Sequence, residues 1–342
     1  ALTELGRLLK GRHTVLEVKA GERGWLRQVR YVITLDSDTS LNVGTARELT
    51  GAMLHPLNRP VIDPGSRIVT AGHALFQPRV AVELEAANKS FFSRVFGGLG
   101  GVDPYGSTAS DVYHDLFDQG TYTGKGIFSV DAFHACLDSR FPDNAILSHD
   151  LLEGSYLRAG LLGEVELTDG CPWQVYSYYA RLHRWIRGDW QIMPWLGKRV
   201  PDGCGGKEDN PLPSLARWKI FDNLRRSLSP IFTLLTLVLG MCLSGRVFAW
   251  AGGVAVLAAA SNLLLSGAEL AVRRSGKRRR YHSTVIAGLA GAILQTAIQL
   301  IFLPYQTYVS LTAISAALWR MTVSHKNMLA WVTAAQTEKG KG

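Results

Sequence analysis

Apolar residues follow two alternating patterns along the first two thirds of the chain. Runs typical of β-strands occupy residues 30–36, 67–83 and 161–170, and Gln77–Arg79 is expected to interrupt the second run. Helices are predicted at residues 1–10, at 44–56, from Asp131 to 137, and within 144–160, with a short strand after Gly126. Short strands that alternate with helices predict an α/β fold with a mostly parallel sheet.

The pattern changes near residue 211, where long apolar segments replace the alternation. Residues 214–228 carry a basic face opposite an apolar face, which is typical of a helix in the membrane interface. Residues 229–245 and 248–272 are each nearly long enough to cross about 30 Å of hydrocarbon. Residues 283–303 could be a third span, but Gln295 and Gln299 on one face favour an interfacial helix. We predict a catalytic domain at 1–210 and a membrane region of interfacial and transmembrane helices at 211–342.

Charge and cysteine content support this division. The net charge of the chain is +9, and its densest basic cluster, 273–280, lies between hydrophobic segments. Such a position indicates a cytoplasmic loop beside anionic lipid, so a lipid bilayer is the expected partner rather than nucleic acid. The four cysteines are scattered, as in a reduced cytoplasmic domain. The chain opens within a predicted helix, so we expect the N-terminal part of the catalytic domain to be missing.

Asp36 and Asp38 directly follow the first long strand. Acidic residues in this position often cap the next helix. Alternatively, two hard carboxylates hold Mg²⁺ or Mn²⁺, and the metal binds the diphosphate of a nucleotide. The sequence alone leaves both interpretations open.

Two further segments offer polar groups at turns. Asp150 could be a helix N-cap, or a general base that takes a proton from an acceptor hydroxyl while His149 tunes it or holds the acceptor. Glu153 is interpreted as a charge at the helix start. Gly124 and Gly126 would let the backbone approach a diphosphate, with Lys125 as a point charge; a P-loop pattern is absent.

Basic and aromatic residues are interleaved at 178–196. Arg181, Arg184 and Arg187 recur every three residues among tryptophans that include Trp185 and Trp195. One interpretation is a basic helix that meets lipid headgroups. The other is that arginine binds phosphate oxygens and tryptophan gives a flat face to a sugar ring.

The order of these motifs resembles that of the processive inverting glycosyltransferases of family 2, such as cellulose and hyaluronan synthases. Their pattern is D-x-D, a T-E-D base motif, Q-x-x-R-W and a transmembrane channel. Here "SHD" stands in place of T-E-D, and arginine replaces the glutamine of Q-x-x-R-W. These departures argue against a cellulose or hyaluronan synthase itself.

Longer phrases resemble the cyclic β-1,2-glucan synthases of glycosyltransferase family 84 from about residue 30 to 335. They include "YVITLDSDTSL", "AMLHPLNRPVIDP", "GKGIFSVDAF", "SRFPDNAILSHDLLEG", "HRWIRGDWQI" and "NPLPSLARWKIFDNLRRSL". The resemblance implies a GT-A-like nucleotide-sugar transferase domain that transfers glucose from UDP-glucose to a growing β-1,2-glucan with inversion. It also implies a multi-pass protein of the bacterial inner membrane with a cytoplasmic catalytic domain, and a glucan-trimming and cyclising domain elsewhere in the full-length chain.

Carried over by motif, the resemblance gives each candidate residue a role. Asp36 and Asp38 would bind the metal and UDP, and Asp150 would be the base. The residues that would hold the diphosphate and the acceptor are Gly124, Lys125, Gly126, His149, Arg181, Arg184 and Trp185. The alternatives are another processive polysaccharide synthase, or a non-catalytic membrane-anchored sensor of nucleotide sugars.

Overall fold

The computed structural model describes residues 2–96, 111–260, 264 and 278–331, with the backbone alone at 278–289. The described residues form two compact units that are interleaved along the chain. The first draws on Ala1–Ala81, Tyr105–Asp169 and Gln191–Phe221, and the second on Val82–Pro104, Gly170–Trp190 and Asp222–Gly342. The boundary predicted at residue 210, between a cytoplasmic catalytic domain and a membrane region, is a different kind of division, and it stays a prediction.

The elements of the chain are as follows. The strands are β1 Tyr31–Thr34, β2 Thr39–Leu41, β3 Val61–Asp63, β4 Ile68–Ala71, β5 Leu75–Val82, β6 Gly126–Ser129, β7 Gly160–Asp169, β8 Arg199–Pro201 and β9 Lys207–Asp209. The shorter helices are α1 Leu2–Leu9, α2 Thr45–Leu54, α3 Leu84–Asn88, α4 Phe91–Phe96, α5 Val112–Phe117, α6 Val130–Leu137 and α7 Asp150–Tyr156. The longer helices are α8 Val175–Gln191, α9 Ser214–Leu243, α10 Gly245–Ala259, α11 Arg278–Ile301 and α12 Leu303–Trp319.

The mixed α/β architecture predicted from the sequence is confirmed, but the predominance of parallel strands is not. One five-stranded sheet has the order β1-β6-β5-β7-β2. The pairs β1–β6, β5–β6 and β2–β7 are all antiparallel. The alternation of strands and helices suggested crossover connections, whereas β1 and β2 are joined by the short turn at residues 35–38.

The short turn forces the sheet to curl. The strands it joins lie at opposite edges of the sheet. In a flat five-stranded sheet the edge strands would be about 19 Å apart. The connection from Thr34 to Thr39 reaches at most about 18 Å when fully extended, and a hydrogen bond from the Thr39 N–H to the Asp36 carbonyl (3.1 Å) folds it into a turn. The Asp36–Asp38 segment therefore lies where the two edges approach each other.

The expected break at Gln77–Arg79 was wrong. The chain turns at Gly72 and His73 instead, and β5 continues through Pro78. Proline is tolerated there because the described pairing of β5 with β6 ends at Phe76, so residue 78 is not needed as a donor in that ladder.

The core of the first unit lies where α6 and α7 cover the sheet. Its largest fully buried side chains include Trp195, Tyr156, Leu75 and Leu152. A smaller cluster lies under α2, where Leu49 and Met53 contact Phe76 and Ile127. The two faces of the sheet are thus both covered, as the apolar content of β5 and β6 requires.

The second unit is helical among the described residues. Ile186 of α8 packs with Ala313 and Ile314 of α12, and Phe92 and Phe96 of α4 pack with Tyr178. The Gln295 side chain donates to the Val95 carbonyl at 2.7 Å.

The predicted interfacial helix and first span form one continuous helix, α9, which runs through Pro230. It is long and apolar enough to cross a membrane, and Ala290–Ile301 with Leu303–Ser324, bent by 64°, would count as a second crossing if the two are one broken span. Most of the predicted basic loop 273–280 and the end of the predicted span 248–272 lie outside the described residues.

Gly126 is the tightest backbone contact in the sheet and generates a stability prediction. A Cβ added at Gly126 would lie 2.1 Å from the Phe76 carbonyl oxygen, which belongs to the backbone of β5 and cannot move aside. We expect G126A to destabilise the protein by on the order of 3 kcal/mol, measured as a lower Tm in thermal unfolding. The matched control is G51A on the exposed side of α2, where a Cβ meets nothing within 4 Å. There alanine should stabilise by about 0.5–1 kcal/mol; equal effects of the two variants would contradict the prediction.

Candidate active site

Asp36 and Asp38 lie in the turn between β1 and β2, with both side chains exposed. They do not cap the following helix. Helix α2 begins at Thr45, and its N-cap is Gly44 in a left-handed conformation without a side-chain cap. The helix-cap interpretation of this pair is therefore wrong.

Lys125 connects Asp36 to the end of β7. Its buried ammonium lies 3.0 Å from Asp36 Oδ2 and 2.7 Å from Asp169 Oδ2. The Thr39 hydroxyl donates to the other oxygen of Asp169 at 2.9 Å. Burial by itself would lower the pKa of Lys125, but the charges of Asp169 and Asp36 outweigh it and raise that pKa, so the ammonium stays charged.

Sequence reasoning missed Asp169, although a carboxylate at the end of a predicted strand was a usable signal. Lys125 forms ion pairs with two carboxylates, those of Asp36 and Asp169. Its predicted contact with a diphosphate stays a prediction. Asp36 keeps about half of its side chain exposed, at 54%. The Lys125 ammonium thus already contacts one oxygen of Asp36. The exposed carboxylate oxygens of Asp36 and Asp38 fit a hard divalent ion such as Mg²⁺ or Mn²⁺.

Asp150 is the first residue of α7, and the N-cap position belongs to His149. The Asp150 side chain is therefore not the N-cap of this helix. The Ser148 hydroxyl donates to Asp150 Oδ2 at 3.0 Å, which orients the carboxylate. Burial lowers the pKa of His149, so its imidazole is neutral at pH 7.

The Gly124–Gly126 loop brings Asp150 and Asp36 into one cluster. Gly124 has φ of +93°, and a Cβ added to it would lie 3.4 Å from Asp150 Oδ1. The next residue, Lys125, holds Asp36. We call the residues Asp36, Gly124, Lys125, Asp150 and Asp169 the carboxylate cluster; all of them belong to the first unit.

Glu153 is buried beside this cluster, contrary to the interpretation as a charge at the helix start. Only 8% of the residue is exposed. Burial first, and the charge of Asp150 second, raise the pKa of Glu153 to about 8. A carboxyl group with this pKa is mostly protonated at pH 7, so Asp150 does not face a second full negative charge on the same helix.

Arg181, Arg184, Arg187 and Trp185 lie on α8, in the second unit. The Arg181 guanidinium stacks 4.7 Å from the centre of the Trp185 ring, and Arg184 stacks 4.5 Å from that of Trp331. The buried Nε of Arg181 has no hydrogen-bond partner among the described residues. Arg187 donates to the carbonyls of Ala330 and Met328.

The tryptophans proposed as sugar faces have different environments. Trp195 is 1% exposed in the core of the first unit, and its indole N–H donates to the Tyr156 hydroxyl at 3.3 Å. It therefore offers no face to a sugar. Trp190 donates to the Ser227 hydroxyl at 2.9 Å, which joins α8 to α9 within the second unit.

The buried Glu153 generates a pH prediction. Its folded-state pKa of about 8 lies above the ordinary glutamate value of 4.5, so the unfolded chain loses this proton first as pH rises. The stability from this group is fully present below about pH 4.5 and declines as pH rises towards 8. As pH rises from 5 to 8, the free energy of unfolding of E153Q should therefore increase relative to that of wild type, by an amount on the order of a few kcal/mol. Thermal unfolding across this pH range measures the gain.

The control for that series is E164Q, which removes an exposed carboxylate from β7 of the same unit. Its Tm difference from wild type should be the same at pH 5 and pH 8. A pH-independent difference for E153Q as well would contradict the assignment of the proton to Glu153.

Comparison with known proteins gives one strong match. No family model matches the chain. The chain is 40% identical over 316 residues to the cyclic beta-(1,2)-glucan synthase NdvB of Rhizobium meliloti (strain 1021). The match covers 91% of this chain but spans only 11% of the length of that protein. The chain is therefore a domain related to the cyclic β-glucan synthases.

Proposed function

We propose that the chain is the GT-A-like catalytic domain of an inverting, metal-dependent glycosyltransferase that polymerises glucose from UDP-glucose into β-1,2-glucan. The observation that carries this proposal is the carboxylate cluster, in which Lys125 contacts Asp36 while Gly124 lies against Asp150. The cluster combines the exposed carboxylate of Asp36, which exposed Asp38 follows in the same turn, with a separate, oriented carboxylate at Asp150. The 40% identity to a cyclic glucan synthase supports the same chemistry.

Asp150 is proposed as the general base. The hydrogen bond from Ser148 orients the carboxylate, and both of its oxygens lie beside the glycine loop. In this role Asp150 accepts the proton of an acceptor hydroxyl as that oxygen attacks the anomeric carbon of the donor sugar. A single displacement with one base inverts the configuration. His149 is neutral and is proposed to hold the acceptor next to this carboxylate.

Asp36 and Asp38 are proposed to hold Mg²⁺ or Mn²⁺. When bound, the ion stabilises the negative charge that develops on the departing diphosphate. Lys125 keeps Asp36 in position through its bridge to Asp169 and adds positive charge to this edge of the cluster. Gly124 is proposed to let the diphosphate approach the backbone of the loop closely. The Phe76 carbonyl oxygen fills the space beside buried Gly126, so Gly126 serves packing against β5 instead.

Arg181, Arg184 and Trp185 are proposed to bind the diphosphate and the acceptor end of the growing glucan. The stacking of Arg181 on Trp185 fixes the guanidinium plane. The buried Nε of Arg181 makes no hydrogen bond among the described residues. The planar fork of guanidinium donors suits the paired oxygens of a phosphate.

A location in the bacterial inner membrane is part of the proposal. Helix α9 is 30 residues long, about 45 Å at 1.5 Å per residue. Large apolar side chains are exposed along α9 and α10, among them Phe232, Met241 and Trp250. Lipid would cover such a surface. We propose a multi-pass protein with a cytoplasmic catalytic domain, a glucan-trimming and cyclising domain elsewhere in the full-length chain, and no nucleic-acid partner.

Two other functions predict different experimental results. Another processive polysaccharide synthase would share the cluster and make a product without 1,2 linkages. A non-catalytic sensor of nucleotide sugars would bind UDP without needing Asp150. The first alternative is tested by linkage analysis of the product made by membranes that carry the full-length protein. The second is tested by measuring turnover, because a sensor would bind UDP without transferring glucose.

We expect D150N to lower glucose incorporation from UDP-glucose by about 10²–10⁴-fold, because an amide cannot accept the proton of the acceptor hydroxyl. UDP binding, measured by calorimetry, should be retained. The control is D143N, which changes an exposed aspartate in the loop before α7 and should leave incorporation unchanged. Normal incorporation by D150N would refute the assignment of the base.

We expect D36N and D38N to raise the Mg²⁺ or Mn²⁺ concentration that gives half-maximal incorporation by about tenfold or more, because each loses an anionic oxygen ligand. Binding of Mn²⁺ with UDP, followed by electron paramagnetic resonance, gives a readout independent of turnover. Chelation should abolish wild-type activity, and added metal should restore it. An unchanged metal requirement in both variants, with D143N as the reference, would rule out this metal site.

A further inference from the structure

A second group of metal-ligating side chains lies outside the carboxylate cluster. His73, His114 and Asp118 each offer one ligand atom, and these atoms all lie within 4.8 Å of one another. All three residues belong to the first unit, and none has a role in the proposed transfer reaction. His73 lies between β4 and β5, whereas the other two lie at the end of α5.

The hydrogen bond at His73 Nδ1 makes Nε2 an acceptor that faces a second acceptor, the Asp118 carboxylate. His73 Nδ1 lies 2.8 Å from the Arg158 carbonyl oxygen. A carbonyl can only accept, so Nδ1 carries the proton and, in the neutral ring, Nε2 is a lone-pair acceptor. His73 Nε2 nevertheless faces Asp118 Oδ1 at 3.3 Å. Two acceptors face each other favourably only when a proton or a metal ion lies between them.

The distances and the surroundings suit a metal. Two ligand atoms about 2.0–2.1 Å from a tetrahedral zinc ion lie about 3.3 Å apart. The other oxygen of Asp118 accepts from Arg158 at 2.8 Å. His73 and Asp118 thus each have a second partner on the side away from the shared space, as metal ligands do.

Local structure at the end of α5 aligns the other two ligands. His114 and Asp118 are four residues apart, so they lie on the same side of the helix. Asp118 is the C-cap in a left-handed conformation with φ of +54°, and its N–H donates to the His114 carbonyl at 2.8 Å. This arrangement places an imidazole and a carboxylate side by side, facing a buried imidazole from a different part of the unit.

A proton alone would make His73 an imidazolium paired with Asp118. That alternative gives no role to His114, whose ring lies 6.1 Å from the ring of His73, centre to centre. Two imidazoles and one carboxylate are a donor set that suits zinc rather than magnesium or calcium.

We propose that His73, His114 and Asp118 bind a Zn²⁺ ion that fastens α5 to the segment between β4 and β5, with water as the fourth ligand. The ion links residues more than forty positions apart in sequence and so stabilises the fold of the first unit. This site is separate from the Mg²⁺ or Mn²⁺ site proposed at Asp36 and Asp38.

The test is cobalt substitution in the full-length protein, purified with its membrane region. Co²⁺ is titrated into metal-free protein, and the visible d–d spectrum of wild type minus H114Q isolates this site from any other. We expect a saturable difference spectrum at one equivalent, with the intensity of tetrahedral cobalt, that added Zn²⁺ removes. D118N should weaken Co²⁺ binding by about tenfold or more. H114Q and D118N change partly exposed or exposed residues, so they test the site even if a variant at the buried His73 fails to fold.

The controls are H55Q, which changes an exposed histidine after α2, and D36N. Both should retain the wild-type cobalt spectrum. Zn²⁺ should also raise the Tm of wild type and H55Q but not that of H114Q. The proposal is overturned if no spectral difference develops, if H114Q and D118N bind cobalt like wild type, or if D36N alone removes the signal. A proton-only contact would give the first of these results.

Discussion

The bridge from Lys125 to Asp36 and Asp169 is the interaction on which the rest of the first unit depends. A buried ammonium is tolerated only when anionic partners satisfy it, and removing one member of such a group typically costs about 3–5 kcal/mol. The bridge connects the turn after β1, the start of β6 and the end of β7. It therefore holds together the two edges of a sheet that the short turn has already forced to curl.

The same three-residue loop makes three different contacts. Gly124 lies against the Asp150 carboxylate, Lys125 holds Asp36, and Gly126 touches the backbone of β5. Glycine is needed at Gly126 because a Cβ there would collide with the Phe76 carbonyl oxygen, and it is favoured at Gly124 because the φ of that residue is +93°. A single loop thus contacts two of the three aspartates to which we assign chemistry, Asp36 and Asp150. The neutral state of buried Glu153 fits this arrangement, since a second ionised carboxylate would repel Asp150.

The aromatic and basic residues of α8 show how similar residues in one segment acquire different roles. Arg181 stacks on Trp185, whereas Arg187 donates to two backbone carbonyls through its terminal nitrogens. Trp195 lies four residues beyond the end of α8 and fills the core of the first unit. Burial, which the sequence spacing does not reveal, separates the candidates for binding from the residues that stabilise the fold.

The sequence by itself determined the local elements and the candidate aspartates. Hydrophobic periodicity reports which side of a segment is buried, so α2, α6, α7, β1, β6 and β7 lie close to their predicted places. The same local signal located Asp36, Asp38 and Asp150, because each follows an apolar run.

Only the tertiary structure decided the strand directions, the partner of Lys125, the burial of Glu153 and the meeting of His73 with Asp118. Each of these depends on residues far apart in sequence, for example 44 positions for Lys125 and Asp169. Periodicity carries no information about which distant segments pair. That pairing is set by the packing of all segments together, and the tight turn at Asp36–Asp38 restricts it further.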